Sequence, residues 1–327
     1  MSEKISHLPA THRDLDLGLP ADFLVARLRG RCPHILRDWE TLAGESDPAA
    51  RLAEEIKQYV EEFGGEGGRL LMHHEYRWVH GRMNKRLRAI FQPYFLYFDL
   101  RAMLRSLRHR EQADTRSVSG HSPGEEVIDH DLRRLLRSDR AMATLPAELE
   151  TRLVSLAPEF AGLARVYKQQ GLPPFEEELF NRFFAFGAGR SAHPVIGEFL
   201  AFLAGVYNTI ALSKMARWSA AAATGLLPPG LVIDPVAGRL KPPGDPAALF
   251  AGTGLPGQPR ESRFAAALEI RLLTHLTRRL RRQGRIEPNV AFILLYLWEI
   301  YLQGRNLGII IHGRPVQPDK IPAVLVQ

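Results

Sequence analysis

From Tyr97 the chain reads YFDLRAMLRSLRHRE, and its apolar residues keep a period that only a helix satisfies. Leu100, Met103, Leu104 and Leu107 fall at i, i+3, i+4 and i+7, which gathers them into one stripe. Arg101, Arg105 and Arg108 form a second stripe on another face. A single acid, Asp99, stands where the aromatic lead-in FQPYFLYF gives way to this basic helix. The same 3.6-residue spacing recurs along the chain, and no series of alternating strands appears. The fold class is therefore read as all-α, with GLVID near Gly230 as the one weak exception.

Local signals divide the helices. DPAARLAEEIKQYVEEF, from Asp47, reads as one helix with Asp47 as N-cap and Pro48 at its first position. LPAELETRLVSLAPEFAGLARVYKQQG, from Leu145, reads as two helices parted near Pro158 and stopped at Gly171. RESRFAAALEIRLLTHLTRRLRRQG, from Arg260, reads as a long amphipathic helix ending at Gly284. GGEGG at Gly64 follows a helix and reads as a hinge. ADTRSVSGHSPGEE, from Ala113, is a polar connector, and residues 225–260 are too rich in proline and glycine for helices. The expected division is a first helical bundle over 1–125, a second over 126–224, a Pro/Gly-rich connector over 225–260 and a third bundle over 261–327.

With 327 residues there is ample chain for a large core. The net charge of +7 is carried mostly by arginine, since only seven of the 43 basic residues are lysine. Such a balance permits contact with nucleic acid, an acidic membrane surface or other proteins without selecting among them. Cys32 is the only cysteine, so no internal disulfide forms and a reducing cytoplasm is the simplest setting. The opening MSEKISHLPATHRDLD lacks the apolar core of a signal peptide. The apolar runs FLAFLAGVYNTIAL and AFILLYLW fall short of the ~18 residues that a spanning helix requires, so a soluble protein is expected.

The opening stretch recurs. Asp99, Ala102, Met103, Arg105 and Arg108 line up with Asn208, Ala211, Leu212, Lys214 and Arg217, and again with Gln303, Asn306, Leu307, Ile309 and His312. Each copy follows an aromatic-rich run: PYFLYF, EFLAFLAGVY or AFILLYLWEIY. The copies lie about a hundred residues apart, longer than the common solenoid repeats. Asp99, Arg108, Asn208, Arg217, Gln303 and Asn306 are the candidate structural residues of this motif.

At these residues the sequence resembles the C-type subunits of archaeal and bacterial V-type rotary ATPases, whose eukaryotic counterparts are the d-type subunits. That family carries an acid, two variable residues, an asparagine and a leucine, then apolar and basic residues, near the end of each of three helical bundles. The third copy, EIYLQGRNLGIIIHGRPVQPDKIPAVLV, matches best, with Arg305, Asn306, Leu307, Ile310, Gly313 and Arg314 where the pattern expects them. FLVARLRGR from Phe23 resembles the family's first helix, and LLPPG from Leu226 its turn into the third unit. Ala102 and Ala211 stand where the family has asparagines, Gln303 where it has an acid and His312 where it has an arginine.

The resemblance implies a funnel of three pseudo-repeated bundles around a central cavity. It further implies a non-catalytic adaptor between the rotating central shaft and the membrane proteolipid ring, peripheral on the cytoplasmic face and without cofactor. A buried polar residue needs a partner, so Asp99 is expected at a helix-packing joint, facing an arginine. The arginine stripe is expected to face outward or to pair with acids on a neighbouring helix.

Other motifs compete with this reading. GHSPG, from Gly120, matches the serine-hydrolase elbow around Ser122, but a polar linker precedes it where that chemistry needs a strand. His73 and His80 share a helix face near His74 and Glu75, a candidate zinc or nickel set that lacks an HExxH and a second cluster. No GxxxxGK[ST] is present, so phosphate cradling of the P-loop kind is excluded. THLTRRLRRQGR, from Thr274, offers arginines to phosphates but no stacking platform, and no direct nucleic-acid contact is expected. The alternative to the adaptor is a free-standing basic helical binding protein, for example of nucleic acid; the third is a hydrolase or metalloenzyme on a helical scaffold.

Overall fold

The computed structural model describes residues 18–45, 47–113, 127–137, 144–190, 193–218, 226–256, 261–286, 289–313, 321 and 324–326. Ser122, Arg314 and residues 1–17 lie outside the described residues, as does the side chain of Arg217.

The chain is mostly helical. In order it forms α1 (Ala21–Arg31), α2 (Trp39–Gly44), α3 (Glu54–Phe63), α4 (Gly67–Arg82) and the long α5 (Lys85–Ala113). There follow α6 (His130–Arg137), α7 (Leu145–Leu156), α8 (Leu163–Gln170), α9 (Leu172–Arg190) and α10 (Pro194–Trp218). A two-stranded antiparallel ribbon, β1 (Val232–Ile233) with β2 (Leu240–Lys241), precedes α11 (Pro246–Phe250), α12 (Ser262–Ile286) and α13 (Val290–Gly313).

Several elements obey their local signals. The break near Pro158 is a short 3-10 turn over Pro158–Phe160, and α8 stops at Gly171, whose φ of 83° lies in the region that only glycine enters freely. GLVID supplies β1. Others differ. The helix expected from Asp47 begins seven residues later at Glu54, because Asp47 caps a separate 3-10 turn through the N–H of Ala50 at 3.4 Å. Within GGEGG, Gly64–Glu66 form a 3-10 turn after α3, and Gly67 and Gly68 already belong to α4. The proline-rich connector contains α11, which Asp245 caps by accepting from Ala247 and Ala248.

Two expectations fail because tertiary packing overrides local sequence. α12 continues past Gly284 to Ile286; a β-carbon at Gly284 would meet Leu295 of α13 at 3.0 Å, so this glycine serves helix contact rather than termination. The apolar run in α10 is also longer than it reads. Pro194–Lys214, at 21 residues, is long and apolar enough to cross a membrane, yet 67% of its most apolar window is buried inside the protein. It is a core helix by packing.

α13 is buried on almost every face, as its continuous apolar sequence demands. It packs along α4 on one side and α12 on another, with α1 across it. The main core joins side chains from α1, α4 to α10, α12 and α13. A second cluster sets Trp39, Ile56 and Val60 against Leu307, Ile310 and Leu325, so the early helices close on the last one.

α4 and α13 cross without side chains between them. A β-carbon on Gly304 would stand 2.8 Å from the carbonyl oxygen of Gly68, and the reverse distance is also 2.8 Å. Gly304→Val is therefore expected to cost about 3 kcal/mol by forcing the helices apart. A lower urea midpoint at an unchanged slope is the expected reading; an unchanged midpoint would deny the close crossing.

Candidate functional site: polar joints on three long helices

α5, α10 and α13 each carry buried polar side chains inside otherwise apolar surroundings. Asp99 on α5 accepts the N–H of Ile128 on Oδ1 at 2.7 Å and that of Asp129 on Oδ2 at 2.9 Å. Asp129 in turn caps α6, accepting from Asp131 and Leu132, and receives Arg152 of α7 at 2.7 Å. One carboxylate thus fixes the entry into α6 and, through its neighbour, α7. Burial pushes the Asp99 carboxyl up to about 7, while the two N–H donors pull it back toward the charged form. Its partners are backbone amides rather than the arginine expected from sequence.

Asn208 on α10 uses its whole amide. Its Nδ2 donates to the carbonyls of Leu227 (2.9 Å) and Leu231 (2.8 Å), and its Oδ1 accepts the N–H of Leu227 at 2.7 Å. Next to it, Thr209 accepts the N–H of Ile233 at 2.8 Å and so positions β1. Asn306 on α13 donates to the carbonyl of Val326 at 2.8 Å and accepts its N–H at 3.3 Å. Gln303, one turn earlier, accepts the N–H of Leu36 at 2.9 Å.

Asp99, Asn208 and Asn306 therefore act alike, in that each holds the backbone of the segment that returns 19 to 30 residues later. By that role Asn306, not Gln303, is the counterpart of Asp99 and Asn208, a register one helical turn from the sequence alignment. Ala102 and Ala211, the positions aligned with Asn306, carry no polar group because the residue three before them already does the holding. Arg108 makes a two-pronged contact with Glu176 of α9, 2.6 Å at Nε; its side chain is 55% exposed, which limits the pair to under about 1 kcal/mol.

The three helices meet at a group that their sequence left unmarked. Tyr97 of α5 and Tyr207 of α10 share a hydrogen bond of 2.6 Å, and Arg101 donates to Tyr97 at 3.3 Å and to Tyr301 of α13 at 3.5 Å. Burial pushes the hydroxyls of Tyr97 and Tyr207 up, so both keep their protons. The Tyr97 oxygen holds the Arg101 guanidinium in its charged form against the cost of burial. Arg101 thus faces inward, against the outward face expected of its stripe. A signal was present: each aromatic run carries a tyrosine within two residues of the aligned polar position.

The histidine set is differently disposed. His73 is buried, and desolvation together with Arg105, Arg69 and Arg77 lowers it to about 3. Glu75 is taken by Arg31, at 2.8 and 2.6 Å, and by the hydroxyl of Tyr296 at 2.6 Å. His80 lies edge-on against Phe95. Among the described residues no group of three His, Cys, Asp or Glu is placed to hold a metal ion.

No family model matches the chain, and no curated protein matches it.

A cleft of about 300 Å³ beside Asp99 is lined by His80, Asp129 and Arg152 as well. A buried acid of raised pKa in a cleft is a standard candidate for proton transfer. Here both Asp99 oxygens are occupied by backbone donors, and Asp129 and Arg152 occupy each other. The arrangement is suited to holding segments in place.

Proposed function

We propose that this chain is a non-catalytic central-stalk adaptor of a V-type rotary ATPase, coupling the rotating shaft to the membrane proteolipid ring for proton or sodium transport. In this reading its helices form three related units arranged as a funnel, and it sits on the cytoplasmic face through protein contacts. The observation that carries the proposal is the threefold recurrence of one device: a long apolar helix whose buried carboxylate or amide holds the returning segment. Asp99 and Asn208 are aligned positions of the motif on which the sequence resemblance rests, and Asn306 lies one helical turn beyond the third.

The physical fit is one of stiffness. A torque-bearing connector that deforms stores work locally instead of passing it on. Buried joints satisfied on every polar atom, and helices crossing backbone to backbone at Gly68 and Gly304, resist such deformation. The nucleic-acid alternative loses ground on the arginine-rich α12, where Arg279 pairs with Glu198 at 2.5 Å and Arg281 with Glu299 at 3.2 Å.

The test compares ATP hydrolysis and ion uptake in membranes with and without this chain. Uptake is expected to fall at least tenfold, while hydrolysis by the catalytic heads is largely spared. Undiminished uptake in its absence would refute the adaptor role.

A further inference from the structure

Between α4, α5 and α13 lies a cavity of about 420 Å³. Arg69, Arg101, Arg105 and Arg305 line it, and Glu66 is the one carboxylate among its described lining residues. Glu66 is already engaged with Arg69, and Arg305 has Glu269 at 3.8 Å. Arg101 is different. Its hydrogen-bond acceptors are the phenol oxygens of Tyr97 and Tyr301, and among the described residues no carboxylate pairs with it. A largely buried guanidinium met only by phenols is costly to fold around, and an anion from outside would offset that cost. His73 on the same wall is kept neutral partly by the arginines around it, a sign of strongly positive potential.

We propose that this cavity binds a phosphate-bearing small molecule, its phosphate held by Arg101 with help from Arg305 and its organic part lying against Met72, Phe98 and Ile309. Guanidinium forks match phosphate oxygens two at a time. Arg305 stands one helical turn beyond Tyr301, the residue that Arg101 already reaches, and lines the same cavity. A guanidinium met by no carboxylate among the described residues suits a phosphate dianion, which fills its fork two oxygens at a time. The volume lies within the range of small-molecule pockets and exceeds what inorganic phosphate fills, and the apolar wall gives the remainder a surface to cover. The ligand would occupy the cavity whether or not the chain joins a rotary machine, so this proposal and the adaptor role stand or fall separately.

Calorimetric titration of the full chain at low salt tests it, with phenyl phosphate, inorganic phosphate and benzoate as probes. Phenyl phosphate is expected to bind one to one, more tightly than either of the others. Arg101→Met should weaken it at least tenfold, because the guanidinium fork that holds the phosphate is gone. Glu66→Gln, at an exposed position, should tighten phenyl phosphate several-fold by removing the one carboxylate among the described lining residues. Absence of saturable binding, benzoate equal to phenyl phosphate, or unchanged affinity in Arg101→Met would overturn the proposal. Should Arg101→Met fail to fold, Glu66→Gln decides: unchanged or weaker binding overturns it.

Discussion

Replacing Asp99 by asparagine is expected to remove a large contribution to the pH dependence of stability between about pH 4 and pH 7, one opposite in sign to that of His73. In the unfolded chain the carboxyl titrates near its ordinary 3.8; in the fold, burial raises it to about 7. Below pH 4 both states hold the proton. As pH rises toward 7 the unfolded chain releases it while the native protein keeps it, so native stability falls, levelling off above the folded value. A separation of about 3 units corresponds to about 4 kcal/mol across that window. Urea midpoints of parent and Asp99→Asn, taken from pH 4 to pH 8, should converge or cross by that amount. A constant difference between the two curves would show that Asp99 does not titrate there.

Asn208→Ala should be comparably damaging. Its amide makes three hydrogen bonds to the backbone of Leu227 and Leu231; truncation leaves the Leu227 N–H and the Leu231 carbonyl without that partner, while the Leu227 carbonyl keeps the N–H of Gly230 at 2.9 Å. Unsatisfied groups of this kind cost about 1–3 kcal/mol each, so a loss of about 2–4 kcal/mol is expected after partial relaxation. Asn208→Asp should be worse than alanine. The carboxylate still accepts from Leu227 but sets a second oxygen against two carbonyls. Denaturant midpoints order the three proteins, and a loss below about 1 kcal/mol for Asn208→Ala would mean that the returning segment is held by other means.

Of the motif's polar residues, Asp99, Asn208, Gln303 and Asn306 are buried on long helices, whereas Arg108 is exposed. What each one holds is not legible in the sequence. An arginine is the expected partner of Asp99, because charge pairing is the simplest compensation for a buried acid. It meets instead two backbone N–H groups at the start of α6, 29 and 30 residues away. Which donor reaches a buried acceptor depends on how the intervening chain turns, and residues 114–126 carry no period that would say. The alignment of Gln303 with Asp99 fails for a related reason. Apolar helices match one another at several registers, and only the contact with Val326 distinguishes Asn306 from Gln303.

Local chemistry by itself determined the helical class, the break at Pro158, the stop at Gly171 and the short ribbon at Val232. Each of these rests on backbone hydrogen bonds or dihedral limits within a few residues, and such limits are written in consecutive letters. Tertiary structure alone decided that Gly284 would be a helix contact, that the apolar α10 would be a core helix, and that Arg101 would turn inward. Tyr97 and Tyr207 are 110 residues apart, and Arg101 and Tyr301 200 apart. A helix stripe records which residues share a face, but which neighbour that face meets is set by the packing of segments distant in the chain, where burial and polar pairing are satisfied together.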